Sequence, residues 1–351
     1  MPDSPAPLRG YLSDNAAGGA PEILAAVTAA SSGLAAPYGN DEHSRALVAK
    51  VADVFERPAD VFAVGTGSAA NGIAIAALTP PWGSVLGHRT AHIDTDEAGA
   101  PEFFADGAKI VGLDGADSRI DPDALRAAVA RRRGDVHSVQ PSVLSITQAT
   151  ESGSVYGLDE IRELSRIAHD AGLRVHMDGA RFANALVALD VTAAEMTWRS
   201  GIDVLSFGAT KNGALTADAI ISFDPALRTE LSYRHKRGGQ LTSKMRFQTA
   251  QLHAYLTDDL WLRNARHANA MAARLREGLA QAPGVRILGD LAANILFCHF
   301  PEDLIAGLLD RGYGFYHDRW APGTVRLVTS FVHRENDIDD LLAAVADLTR
   351  R

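Results

Sequence analysis

The sequence predicts an α/β fold, with a large domain around a mainly parallel sheet and a small α+β domain toward the C-terminal end. Three observations carry that expectation. Up to about residue 240, short apolar runs alternate with amphipathic segments, and alternation of this length buries a sheet between helical layers. The 351 residues suffice for one large domain or two of ordinary size. Beyond residue 240 a long helical run has no strand beside it, and strands and helices then mix without a regular repeat. The expected boundaries are an N-terminal arm over 1–20, a large domain over 21–250 and a small domain over 251–351.

The arm is punctuated by Pro5, Pro7, Gly10, Gly18 and Gly19. In "DEHSRALVAKVADVFE" the apolar positions 47, 48, 51, 54 and 55 trace one helical face. Strand-like runs follow as "DVFAV" (60–64), "SVLGH" (84–88), "AKIVGL" (108–113), "SVLSI" (142–146), "LRVHM" (173–177), "DVLSF" (203–207) and "AIISF" (219–223). The segment "LDEIRELSRIAHDAG" (158–172) has helical period and stops at Gly172. A long helix is expected over 260–282, then strands in "VRIL" and "NILFCHF", the helix "EDLIAGLLD", the strand "TVRLVTS" and a closing helix in "ENDIDDLLAAVADLTR".

Charge and composition exclude several classes. A net charge of −9 argues against nucleic acid or an anionic membrane as the main partner. The basic run Arg131–Arg133 closes the helical stretch "PDALRAAVA" before Gly134, where the helix dipole favours cations. The single cysteine, Cys298, cannot form an intrachain disulfide, and within "NILFCHF" it is expected to be a buried, inert thiol. The N-terminus lacks the apolar core of a signal peptide, and "ANGIAIAALTPPWG" is cut by two prolines. A cytoplasmic location is the expectation.

Four stretches carry chemistry. In "VGTGSAANGIAIAAL" a strand gives way to an apolar helix through Gly65, Thr66, Gly67 and Ser68, whose backbone N–H groups suit a phosphate. A plain strand–helix turn is the competing reading. The stretch is neither a dinucleotide fingerprint nor a Walker loop. In "RVHMDGARFANA", Asp178 ends an apolar run, where open α/β sheets bind ligands. A helix N-cap would also use an aspartate there. In "SFGATKNGAL", Lys211 stands among small uncharged residues at a strand's end, 33 residues after Asp178. One strand–helix–strand repeat fits that gap. In "GHRTAHIDTDEAGAPEFF", His88 and His92 with Asp94, Asp96 and Glu97 could suggest a metal, but the inner Glu of the helical zinc motif is missing. No metal is expected, and His92 is assigned to stacking on a cofactor ring and exchanging protons. A phosphate cradle, a carboxylate and a sequestered lysine are together what pyridoxal 5'-phosphate requires.

These stretches, in this order, resemble the threonine aldolase and β-eliminating lyase family of fold-type I pyridoxal phosphate enzymes. The resemblance covers most of the chain, and "MDGAR" followed by "SFGATKNG" is its most specific part; "LWLRNARHANAMAARL" and "VRLVTS" are similar to the low-specificity L-threonine aldolase branch. It implies the fold-type I large domain and the small C-terminal domain. It also implies that Lys211 tethers the cofactor, Asp178 pairs with its ring nitrogen, and Thr66, Gly67 and Ser68 hold its phosphate. His92 would stack on the ring. Arg181 and Arg326 would clamp the substrate carboxylate, with Ser13 helping. Tyr38 would enter a neighbouring subunit's site, and Lys236 would reach a phosphate. Without the family, Arg181 and Arg326 are ordinary helix and strand charges, and Lys236 is a solvated loop charge.

The implied reaction is cleavage of an L-3-hydroxy-α-amino acid, threonine or phenylserine among them, to glycine and an aldehyde by a homotetramer or a dimer with shared sites. Departures from the better-known branch at "SFGATKNGAL" and "TQATESGSVY" leave Gln148 and Glu151 without roles and bear on substrate preference. The alternatives are another pyridoxal phosphate reaction, β-elimination or aldol transfer, and a non-catalytic protein that keeps the pocket. A nicotinamide oxidoreductase is disfavoured by the incomplete glycine fingerprint.

Overall fold

A computed structural model describes residues 9–350. Its strands are β1 (Arg9–Gly10), β2 (Asp60–Val64), β3 (Gly83–His88), β4 (Lys109–Leu113), β5 (Gln140–Thr147), β6 (Arg174–Gly179), β7 (Val204–Phe207), β8 (Asp218–Ser222), β9 (Arg286–Leu288), β10 (Ile295–His299), β11 (Tyr313–Gly314) and β12 (Thr324–Val328). Each of the seven runs expected in the large domain forms a strand of one sheet, in the order β2-β8-β7-β6-β5-β3-β4. Only β8 runs against its neighbours β2 and β7. The remaining pairs are parallel.

Period-two alternation divides the sheet's faces. Val175, Met177, Leu205, Phe207 and Ile221 enter one core, which the helices Phe182–Leu189 and Leu260–Leu279 help to close with Phe182 and Trp261. Val143, Val204 and Ile220 enter the other, beneath the buried helix Gly67–Leu78. Beyond Asn71 that helix is apolar on every side, as a covered helix must be. Alternation therefore sends His176, Asp178 and Ser206 to the face under this helix. His176 bridges Ser145 and Ser206 there, at 2.9 Å from each hydroxyl, and burial pushes its pKa down to about 4.

The smaller core is separate. Leu275, Leu279, Leu296, Cys298, Val325 and Leu341 pack around the antiparallel sheet β12-β10-β9. The helix Leu260–Leu279 serves both cores, Trp261 in the large one and Leu275 in the small one. Of the expected arm, residues 1–8 lie outside the described residues. Arg9–Gly10 pairs with β11, and Tyr11 is buried in the small core. Burial pushes the Cys298 thiol up to about 12. Among the described residues no helix is long and apolar enough to cross a membrane.

Candidate active site

The C-terminal ends of the parallel strands and the start of β8 border a cavity of about 430 Å³. Thr66, Gly67, Ser68, His92, Asp178 and Lys211, all singled out from sequence, line it. Backbone approach explains how Asp178 and Lys211 meet. A Cβ at Gly208 would lie 2.6 Å from the Ala180 carbonyl, and one at Gly179 would lie 2.8 Å from the Ser206 carbonyl. Only glycine at these positions lets the two strand ends run side by side.

The N-terminus of Gly67–Leu78 is the candidate anion cradle. The Thr66 hydroxyl accepts from the Ala69 N–H at 3.1 Å and so caps the helix. The Gly67 and Ser68 N–H groups have no partner among the described residues. A Cβ at Gly67 would meet no atom within 4 Å, so space for a ligand lies beside it. The helix dipole favours negative charge at this point. The Gly65 N–H donates to the side-chain Oε1 of Gln240 at 2.9 Å, a contact that sequence reasoning missed.

Across the cavity, Asp178 is buried. Its carboxylate accepts from the Ala180 N–H and from the Asn71 amide, each at 3.1 Å. The same Asn71 nitrogen donates to Glu97 at 2.8 Å, and Glu97 bonds His92 Nδ1 at 2.8 Å. Glu97 raises the His92 pKa through this bond, against the opposing effect of burial. Asn71 Oδ1 and Glu97 Oε2 are buried without partners. Asn71 and the role of Glu97 were not legible in sequence, because their partners come from other elements.

Lys211 sits in the turn Thr210–Asn212 after β7. Its neighbours fix that turn from two sides. The Asn212 amide donates to the Tyr255 hydroxyl and the Trp261 carbonyl, each at 2.8 Å, while Asn264 donates to the Asn212 carbonyl at 2.9 Å. On the opposite side Asp218 accepts from the Ala209 and Thr210 N–H groups at 2.8 and 3.0 Å. No carboxylate is salt-bridged to Lys211 among the described residues.

The substrate-side residues divide. Arg181 is buried and donates from Nε and Nη2 to both oxygens of buried Asp14, at 2.8 and 2.9 Å. Asn294 also donates to Asp14, at 3.1 Å. Arg326 reaches from β12 into a second cavity of about 490 Å³, shared with Glu151, Asp96 and Trp320. Its guanidinium lies over the Tyr316 ring at 4.9 Å, and its buried Nε has no partner. Burial lowers the Arg326 pKa, and repulsion from Arg181 adds to the effect. A guanidinium on a cavity wall with an unsatisfied donor fits an incoming carboxylate.

The Ser13 hydroxyl accepts from the Asn15 N–H at 3.1 Å and donates to Asp14, the partner of Arg181, at 3.3 Å; it borders a third cavity and not the main one. Tyr38 and Lys236 stack on each other, with the ammonium 4.9 Å from the ring, and neither lines the main cavity of its own chain. Gln148 staples its own loop by bonds to the Tyr156 N–H and carbonyl, both at 3.0 Å.

The sequence model of the beta-eliminating lyase family matches residues 11–299. The chain belongs to the beta-eliminating lyase family. Within that family it is 40% identical over 335 residues to the low specificity L-threonine aldolase of a Pseudomonas species, covering 95% of this chain and 96% of the relative. The low specificity L-threonine aldolase of Pseudomonas aeruginosa is 42% identical over 306 residues, covering 87% of this chain and 88% of the relative. A solved Leishmania major threonine aldolase superposes with a TM-score of 0.91 at 29% identity, over 97% of this chain and 99% of that one. The cradle, Asp178 and Lys211 thus lie on a beta-eliminating lyase scaffold of fold-type I architecture.

Proposed function

We propose that this beta-eliminating lyase family member uses pyridoxal 5'-phosphate to cleave the Cα–Cβ bond of L-threonine, L-allo-threonine or a related L-3-hydroxy-α-amino acid such as phenylserine, giving glycine and an aldehyde. One observation carries the reading. The partner-free N–H groups of Gly67 and Ser68, the buried Asp178 and the unpaired Lys211 border one cavity. Its donors and acceptors match a phosphate, a pyridine nitrogen and an amine-reactive carbon. The names of the two Pseudomonas relatives support the choice of substrate.

When bound, pyridoxal phosphate supplies a conjugated ring that takes up the electron pair of the breaking bond. The Gly67 and Ser68 N–H groups hold the phosphate. Asp178 keeps a proton on the ring nitrogen, and Asn71 holds Asp178 in place. Lys211 is the covalent tether. Arg326, with the edge of Arg181 that Asp14 leaves free, holds the substrate carboxylate and so orients the bond to be broken. Glu97 occupies His92 Nδ1, which leaves Nε2 to take the β-hydroxyl proton, directly or through water. The aldehyde departs, and Cα takes up one proton to become glycine.

The same reading takes the protein as a homo-oligomer, a dimer with shared sites or a tetramer. The exposed Leu24, Leu34 and Tyr38 support it, as does the placement of Tyr38 and Lys236 outside their own cavity. The deciding experiment is product analysis with L-threonine and the pyridoxal phosphate-loaded protein. Equal amounts of glycine and acetaldehyde are expected. A keto acid with ammonia would assign β-elimination instead.

A further inference from the structure

Asp218 is a carboxylate on the cavity wall that the reaction above leaves unused. It opens β8 and is buried. Its Oδ1 accepts from the N–H groups of Ala209 and Thr210 at 2.8 and 3.0 Å, and its Oδ2 accepts from the Thr210 hydroxyl at 3.2 Å. Those two residues directly precede Lys211.

Closing this turn does not require a charge. An asparagine carbonyl oxygen would also accept both N–H bonds, without the charge assistance. A buried carboxylate with no basic partner is costly, so its charge exceeds what the backbone needs.

The other charged groups facing Lys211 are committed. Asp14, from the turn Asp14–Ala16, is bonded twice to Arg181. Glu97 is bonded to His92 and Asn71. Asp178 accepts from Asn71 and the Ala180 N–H and is assigned to the cofactor nitrogen. His92, from the short helix His92–Thr95, is cationic when protonated and opposes the lysine's charge. Among the described residues no basic side chain is bonded to Asp218, and the attraction of Lys211 adds to its hydrogen bonds in favouring the ionised form.

We propose that Asp218 is the counter-charge of Lys211, a positioning residue that fixes the lysine's turn through its backbone bonds and raises the proton affinity of the lysine nitrogen through its charge. This rests on the pyridoxal phosphate reading of the cavity. Burial pushes the Asp218 carboxyl above its usual range, while the three hydrogen bonds and Lys211 pull it back toward the ionised form. The sign follows directly: a nearby carboxylate stabilises the cationic nitrogen, so removing its charge lets that nitrogen lose its proton at lower pH.

The test follows the visible absorbance of the cofactor-loaded protein through a pH titration, for wild type, Asp218→Asn and Asp218→Glu, with thermal melting alongside. The Asn variant keeps the turn, so it should melt within a few degrees of wild type. Its titration midpoint should fall by about one pH unit, a tenfold change in proton affinity. The Glu variant keeps the charge but strains the turn, so its midpoint should stay near wild type while it holds the cofactor more weakly. If the Asn variant does not fold, a Glu midpoint displaced by a unit or more overturns the charge assignment. An Asn midpoint equal to wild type overturns this inference alone. A loaded wild-type protein with no visible band overturns the cofactor reading, and this inference with it.

Discussion

His92 Nδ1 lies 2.8 Å from Glu97 Oε1, and the same carboxylate oxygen accepts from Asn71, whose amide also reaches Asp178. Hydrogen bonds therefore link the assigned base on one side of the cavity to the assigned ring-nitrogen partner on the other.

Glu97→Gln keeps the size of this link and removes its charge. The raised His92 pKa should fall back toward the ordinary imidazole value. The low-pH limb of the kcat/KM profile should then move to lower pH. The stability consequence has the matching sign: the pair's contribution is present below an imidazole's unfolded pKa of about 6.5 and is lost as pH rises through the raised folded value. A pH–rate profile for the variant checks the first effect, and an unmoved limb would show that His92 does not set it.

Arg326 should act on substrate rather than on cofactor. Arg326→Leu removes a charge-assisted contact expected to be worth about 1.5–3 kcal/mol, roughly ten- to a hundred-fold in kcat/KM. Because the lost contact is to the substrate carboxylate, most of the change should appear in KM. The visible spectrum of the loaded protein should be unaltered. An unchanged KM would remove Arg326 from the carboxylate clamp.

His176 is neutral and buried between two hydroxyls, with a pKa pushed down to about 4. Folding then opposes proton uptake, so its contribution is complete above about pH 6.5 and is lost as pH falls toward 4. By pH 5 the loss should be about 2 kcal/mol. Urea unfolding at pH 7 and pH 5 for wild type and His176→Gln measures it. Equal pH dependence in both proteins would assign the acid sensitivity to other groups.

Asn212→Ala leaves the Trp261 carbonyl and the Tyr255 hydroxyl without their buried donor. The expected cost is about 2 kcal/mol in urea unfolding, together with weaker retention of the cofactor by the loosened Lys211 turn. A change within about 0.5 kcal/mol would place the turn's rigidity elsewhere.

The legibility of this molecule in its sequence follows the range of each interaction. Strands β2 to β8 were visible because apolar runs and period-two patterning are local. Thr66–Ser68, His92, Asp178 and Lys211 were visible together because each lies at or just beyond the C-terminal end of a strand. Side-chain partners drawn from distant segments were hidden. Asp14 stands beside Ser13, yet its role depends on Arg181, 167 residues away. Asn212 follows Lys211 directly, and nothing local shows that Tyr255 and Trp261 hold its side chain. Asp218, seven residues beyond Lys211, reads as a strand start, and nothing local shows that its carboxylate folds back onto the lysine's turn. Tyr38 and Lys236, far apart in sequence, stack outside their own cavity, a pairing visible only in three dimensions.

The central claim is that Lys211 holds the cofactor. The protein has five lysines, and Lys211 is the one that lines the cavity. Borohydride reduction of the pyridoxal phosphate-loaded protein, followed by proteolysis and peptide mass spectrometry, tests the claim most directly. The account predicts one reduced pyridoxyl group on Lys211 and none in Lys211→Ala. A pyridoxyl group on Lys236 alone, or equal labelling of wild type and Lys211→Ala, would contradict it.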